Sequence, residues 1–291
     1  MQIETELAYS YCKKLTLSHY ENFPVGSLLI PSNKRKYIYS IYAFARTADD
    51  IADSDIYSKE EKLRLLDEYE NELTNIELKR SVSLKNESQN IFTALSNTTD
   101  ELRIPIKEFR DLLTAFRQDA VKQRYNDFDE LLSYSAYSAN PIGHLVLYVF
   151  GFDPVKDEEC FEHSDQVCTA LQLTNFWQDV SVDLKIDRIY IPGKEMSEFN
   201  FNEKMLFDKT ENDDFRKMMK HLTERTRVLF EEGRKITDYV SGRLKYELKA
   251  TIAGGMEILN KIEKINYNVL SQRVTISNID KLKLLAKAFT R

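Results

Sequence analysis

Glycine and proline are scarce in this chain, with 8 and 6 among 291 residues. An all-β fold of many short strands needs more turn residues than that, so the shortage points to long helices. The three cysteines, Cys12, Cys160 and Cys168, are odd in number and lack C-x-x-C spacing. That disfavours a disulfide framework and reads as reduced thiols of a cytosolic protein. No run approaches the roughly 20 apolar residues of a membrane-spanning helix. The greasiest stretch, PIGHLVLYVFGF, is short and carries His144. The opening MQIETELAYSYCKK has no signal-peptide pattern. A cytosolic protein is therefore expected, although a lipid substrate or product can still bring it to a membrane surface. A basic excess is missing too: 47 acidic against 41 basic residues give a net charge of −6, with no electrostatic footprint for nucleic acid. No G-x-G-x-x-G follows a strand, so no nicotinamide cofactor is expected.

What is present is helical periodicity. The hydrophobic share of 42% and charged share of 30% suit a soluble globular protein, and no repeat or linker divides residues 1–291. One all-α domain is expected. Helices are predicted near 4–17, from Ser32 or Asn33 as cap to about 54, and at 58–78, 87–101, 105–124, 127–151, 157–185, 211–247, 248–270 and 278–290. Pro105 suits a first helical turn and Asp127 an N-cap. The pattern breaks at DRIYIPGKEMSEFNF, the best candidate for an extended segment or flap. Gly254-Gly255 lies inside a helical pattern and suits close helix packing.

Two acidic stripes carry the chemistry. Tyr42, Arg46, Asp49 and Asp53 step by four, three and four, so they share one helix face. Asp50 lies about 100° round from Asp49 and falls at the edge. Arg46 can pair with a carboxylate or reach a phosphate, which its planar fork matches. Gln172, Asn175, Asp179 and Asp183 form a second stripe beside Leu171, Leu173, Phe176, Trp177 and Val180. Carboxylates among apolar rows are costly unless they are paired or bind metal. A lone D-D-x-x-D is as readily a solvated helix face. Two such oxygen-rich faces together favour a site where Mg²⁺ holds substrate phosphates.

With these motifs the chain resembles the squalene/phytoene synthase family over nearly its whole length. FARTADDIAD matches the first aspartate-rich motif, and LQLTNFWQDVSVDLKIDRIYIP the second with its R-x-Y-x-P tail. SHYENFPVGSLLIP, YSANPIG and LSQRVTISNIDKLKLL are similar to segments of one branch, the bacterial hydroxysqualene synthases. The resemblance implies an all-α isoprenoid-synthase bundle around a central apolar cavity, with the aspartate helices facing each other. It implies Asp49, Asp53, Asn175, Asp179 and Asp183 as Mg²⁺ ligands, with several ions bridging the diphosphate. Arg46 and Gln172 would line the site. Arg188, Tyr190, Tyr267, Arg273 and His19 would bind substrate, His19 having a surface or structural role as its alternative. Faces of Tyr42, Phe23 or Tyr137 would stabilise a carbocation, or simply pack.

Where condensing members carry Y-x-x-x-x-A-G-x-V-G, this chain reads YSANPIG. Pro141 inside a helix would crowd the carbonyl of Tyr137 and kink it. That kink, with Asn140, either positions a water that quenches the cation or is structural. Three functions fit: conversion of presqualene diphosphate to hydroxysqualene, head-to-head condensation to presqualene diphosphate or phytoene, and a non-catalytic helical assembly or lipid-binding role.

Overall fold

The protein was analysed as a computed structural model, which describes residues 2–18, 30–277, 279–280 and 283–284. His19 and Phe23 lie outside the described residues, as does most of the predicted 278–290 helix. Among the described residues there are helices and no strand, only an isolated parallel bridge between Arg124 and Ile189. The chain divides into two compact units, Met1–Lys122 with Pro141–Glu158, and Gln123–Asn140 with Glu159–Arg291.

In the first unit, α1 (Gln2–Ser18) packs on α2 (Ser32–Asp53) and α4 (Ser88–Leu102), while α3 (Lys59–Glu77) and α5 (Lys107–Asp119) pack on α2 and on each other. Phe44 of α2 is the hub. Its ring lies 5.3 to 5.9 Å from those of Phe109, Tyr69 and Phe92, mostly edge-on, the geometry the ring quadrupoles favour. Ile41, Phe44, Ala48 and Ala52 bury one face of α2, so the opposite face is left for Tyr42, Arg46, Asp49 and Asp53. The helix starts after Pro31 with no side-chain cap, so neither Ser32 nor Asn33 caps it. Pro31 already fixes the φ needed there. In α3 the expected start holds, with Ser58 and Glu61 forming a reciprocal capping box. Pro105 falls just before α5, its carbonyl accepting from Glu108 N at 3.3 Å.

The predicted 127–151 helix is two helices, α6 (Phe128–Ser138) and α7 (Asn140–Phe150), separated at Ala139. Asp127 caps α6 as expected, accepting from Glu130 N at 2.9 Å. Pro141 therefore sits in the first turn of α7, where a missing N–H leaves no internal bond unmade. It starts a helix rather than kinking one.

In the second unit, α8 (Glu158–Asp183) ends in a single 3₁₀ turn (Leu184–Ile186), followed by α9 (Gly193–Glu198) and α10 (Glu203–Phe207). Then come α11 (Asp213–Gly233), α12 (Ile236–Tyr239) and α13 (Gly242–Lys264). The break falls at 234–241 rather than at 247, because Gly242 adopts φ +59° after an extended Val240 and Ser241. Trp177 of α8 is fully buried and donates from Nε1 to Thr226 Oγ1 of α11 at 2.8 Å. None of the three cysteines is in a disulfide, and burial pushes the Cys12 thiol up to about 12.

Gly255 fulfils the close-packing expectation. A Cβ there would stand 2.3 Å from Phe230 Cζ and 3.0 Å from Leu171 Cδ2, whereas at Gly254 it would meet nothing within 4 Å. Phe230 is buried and cannot retreat. Gly255→Ala should lower the free energy of unfolding by about 1–3 kcal/mol through overpacking. Gly254→Ala should raise it by about 0.5–1 kcal/mol through helix propensity. Urea unfolding of the two variants checks both signs.

Candidate functional site

On α2 the predicted stripe forms, with Asp49 half-buried and Asp53 exposed. Arg46 binds closer to the edge than expected. Its Nη2 lies 2.6 Å from Asp50 Oδ1, and its Nη1 stands 3.8 Å from Asp49 Oδ2. Asp50 thus neutralises Arg46 and leaves Asp49 and Asp53 on the stripe. Arg46 Nε is buried with no hydrogen-bond partner, a directed donor that a phosphate oxygen would satisfy. Tyr42, a turn earlier, has its hydroxyl pKa raised chiefly by burial; Arg46 opposes this, while Asp50 and Asp49 add to it. It stays a protonated donor at neutral pH.

On α8 the second stripe also forms. Gln172, Asp179 and Asp183 are half-buried, and Asn175 is exposed, beside the buried row Leu173, Phe176, Trp177 and Val180. Arg273 grips Asp179 with two prongs, Nε to Oδ1 at 2.5 Å and Nη2 to Oδ2 at 3.0 Å. The adjoining chain is tied to the same helix, since Gln178 Nε2 donates to the Val274 carbonyl at 2.6 Å. A residue expected to bind substrate and one expected to bind metal are therefore partners of each other.

Asp183 and Arg188 line one small crevice with Phe176, Val180, Ile189 and Tyr190, about 10 Å³ in volume and so sized for a water and not for a diphosphate. The chain reverses between them through Asp187, at φ +57°. Tyr190 is buried, its ring stacked 3.7 Å from that of Phe176 at 11° and 5.4 Å from that of Tyr125 at 23°. Its face is thus occupied by protein rings, and what it does here is hold the Arg188 segment against α8. Tyr137 lies 41% exposed on the last turn of α6. Tyr134, a turn earlier, is the α6 ring in the aromatic stack, 5.9 Å from Phe176 and 5.7 Å from Tyr125. Asn140 is buried, and its Oδ1 accepts from Thr169 Oγ1 of α8 at 3.0 Å.

Tyr267 follows Asn266 just beyond α13, and both have positive φ, at +61° and +53°. Two successive non-glycine residues in this region are strained, a condition that clusters at functional sites. Burial raises the Tyr267 hydroxyl pKa, with Glu263 and Glu224 adding to it, so it too remains a donor.

The side chains offered by both acidic faces are hard oxygen donors, which suit Mg²⁺. Among the described residues no three acidic, histidine or cysteine side chains converge as a self-sufficient metal site. No helix among the described residues is long and apolar enough to cross a membrane.

Comparison with known proteins agrees with these motifs. A profile of the family described as squalene/phytoene synthase matches residues 17–280. Phytoene synthase 2 of Solanum lycopersicum is 29% identical over 98% of this chain and 90% of its own. The 15-cis-phytoene synthase of Synechococcus elongatus is 28% identical over 98% and 93%. Squalene synthase HpnC from Alicyclobacillus acidocaldarius superposes with a TM-score of 0.83 at 35% identity, over 91% of this chain and 97% of that one. A dehydrosqualene synthase in complex with ligand has the same fold, with a TM-score of 0.86 at 23% identity, over 99% and 97%.

Removing the guanidinium should expose how Asp179 is held. Arg273→Ala leaves Asp179 beside Asp183, a like-charge pair one turn apart that costs a few tenths of a kcal/mol. With the lost half-exposed ion pair, the variant should be less stable by about 0.5–1 kcal/mol. Millimolar Mg²⁺ should restore more stability to the variant than to the parent. Urea unfolding with and without Mg²⁺ measures this; an identical response in both proteins would contradict it.

Proposed function

The chain belongs to the squalene/phytoene synthase family, and from that premise we propose that it converts presqualene diphosphate to hydroxysqualene. Members of this family are prenyltransferase-type enzymes that act on prenyl diphosphates. The observation that supports the diphosphate chemistry is the grip of Arg273 on Asp179, one turn from Asp183 on the same helix, with Arg188 in the segment that follows it. Asp49, Asp53, Asn175, Asp179 and Asp183 would hold Mg²⁺. When bound, Mg²⁺ supplies charge neutralisation of the diphosphate as its C–O bond ionises. Arg46, Arg188 and Arg273 offer planar forks matched to phosphate oxygens, and Tyr267 offers a hydroxyl donor.

The C–O bond breaks with its electron pair leaving on diphosphate, and the cyclopropylcarbinyl cation rearranges. A water oxygen then bonds to the cation and loses a proton to solvent or to the released diphosphate. No electrons are exchanged with a reductant. Two features support water as the quencher. Asn140 is fixed through its Oδ1 by Thr169, which leaves its amide N–H groups as donors. Two residues earlier, Ser138 Oγ is buried with no protein partner, the condition under which a buried water is held. Identity of 35% to HpnC, against 28–29% to the phytoene synthases, supports the squalene branch.

Head-to-head condensation of two prenyl diphosphates to presqualene diphosphate or phytoene is the alternative. The phytoene synthase relatives favour it, and the same acidic residues would serve. Separate incubations with presqualene diphosphate and with farnesyl or geranylgeranyl diphosphate, in ¹⁸O-labelled water, distinguish the two. Presqualene diphosphate should yield hydroxysqualene carrying one ¹⁸O. Turnover of the linear diphosphates alone would overturn the proposal. In the same assay Asp53→Asn and Asp183→Asn should each slow diphosphate release by about 10²–10³-fold, the usual cost of one lost electrostatic stabiliser. Asp50→Asn, which only frees Arg46, should cost less than about tenfold.

A further inference from the structure

Outside the residues already assigned, the strongest construction surrounds Arg124, in the short segment joining α5 to α6. Its guanidinium uses all three nitrogens. Nη2 donates to Asp187 Oδ1 at 2.6 Å and Nε to Glu203 Oε2 at 2.9 Å. Nη1 donates to the Asp187 main-chain carbonyl and, at 3.0 Å, to that of Gln123. The backbones run together as well: Ile189 N donates to Gln123 O at 3.0 Å, Gly193 N to Tyr125 O at 3.0 Å, and Lys194 N to Asn126 O at 2.8 Å.

Asp187 is where the chain turns back between Asp183 and Arg188. It adopts the left-handed conformation at φ +57°, uncommon for a residue with a side chain though tolerated by aspartate. The turn closes with Arg188 N donating to Asp183 O at 3.0 Å, so the Asp187 conformation sets the geometry of both residues. Arg124 holds that one residue by carboxylate and carbonyl together. A lysine ammonium lacks the planar fork that spans these acceptors. The Asp187 and Glu203 side chains are 71% and 48% exposed, and pairs that exposed add little to stability. Their contribution is to geometry.

We propose that Arg124 is a positioning residue for the cation Arg188, acting through Asp187 to fix Arg188 relative to Asp183. This rests on the diphosphate function proposed above. A misplacement of about 1 Å at a phosphate-binding cation is enough for a large loss. Arg124→Ala should keep a urea midpoint near that of the parent. It should weaken Mg²⁺-dependent binding of inorganic diphosphate by about tenfold or more and speed amide hydrogen exchange at 188–191 by a similar factor. Arg124→Lys should fall between the two. In an Arg188→Ala background, adding Arg124→Ala should change affinity less than about twofold, the non-additivity of residues acting through one another.

A folded Arg124→Ala protein with unchanged affinity and exchange would overturn the proposal, as would full additivity with Arg188→Ala. Should Arg124→Ala fail to fold, Asp187→Gly decides. Glycine accepts the positive φ while the carboxylate half of the grip is lost. Affinity should fall by about threefold and exchange at 188–191 should quicken; no change in either would overturn the proposal. If the parent itself binds no diphosphate and turns over no substrate, the proposed function fails instead, and hydrogen exchange alone tests the grip of Arg124.

Discussion

A carboxylate set against an apolar helix has to be matched by a cation, and the site depends on that constraint. The hydrophobic row of α8 is not negotiable, because Leu173, Trp177 and Val180 build the core of their unit. The acids on the adjoining stripe are therefore only partly solvated. Arginine supplies that charge, Arg273 to Asp179 and, on α2, Arg46 to Asp50. These pairs are half-exposed, so each adds only modestly to stability. Their value lies in holding the carboxylates pointed along the stripe.

The aromatic content serves this arrangement more by holding it than by touching substrate. Phe44 and its three ring neighbours turn the acidic face of α2 away from the core. The stack of Phe176, Tyr190, Tyr125 and Tyr134 fastens the segment carrying Arg188 to α8. Both clusters are built from edge-on, stacked and tilted rings that pack with little freedom, which suits a site whose charges must not drift.

Much of this was legible from residue spacing. The four-residue rhythm of Asp49 and Asp53, and of Asn175, Asp179 and Asp183, put each set on one helix face, and each lies there in the folded chain. Ser58 and Asp127 started the helices they should, since a cap is a local interaction. What failed was finer or longer in range. Helical periodicity ran on through Ala139 and through 234–241, because apolar spacing does not register a break that costs no hydrophobic burial. Tyr134 drew no attention in the sequence, because a helix ending at Ser138 was not visible, and one turn separates the exposed Tyr137 from the stacked Tyr134. Arg46 lies nearer Asp50 than Asp49, a choice of rotamer that spacing leaves open. Arg124 gave no signal at all: its partners lie 63 and 79 residues away, and only the folded chain brings them together.

The central claim is that the acidic faces bind diphosphate through Mg²⁺ and not through their arginines alone. Calorimetric titration of inorganic diphosphate into the protein, with Mg²⁺ and with excess chelator, tests it most directly when repeated on Asp179→Asn. The account predicts saturable binding with Mg²⁺, none with chelator, and a loss of at least about tenfold in affinity for the variant. Equal binding with and without Mg²⁺, or undiminished affinity in Asp179→Asn, would contradict it.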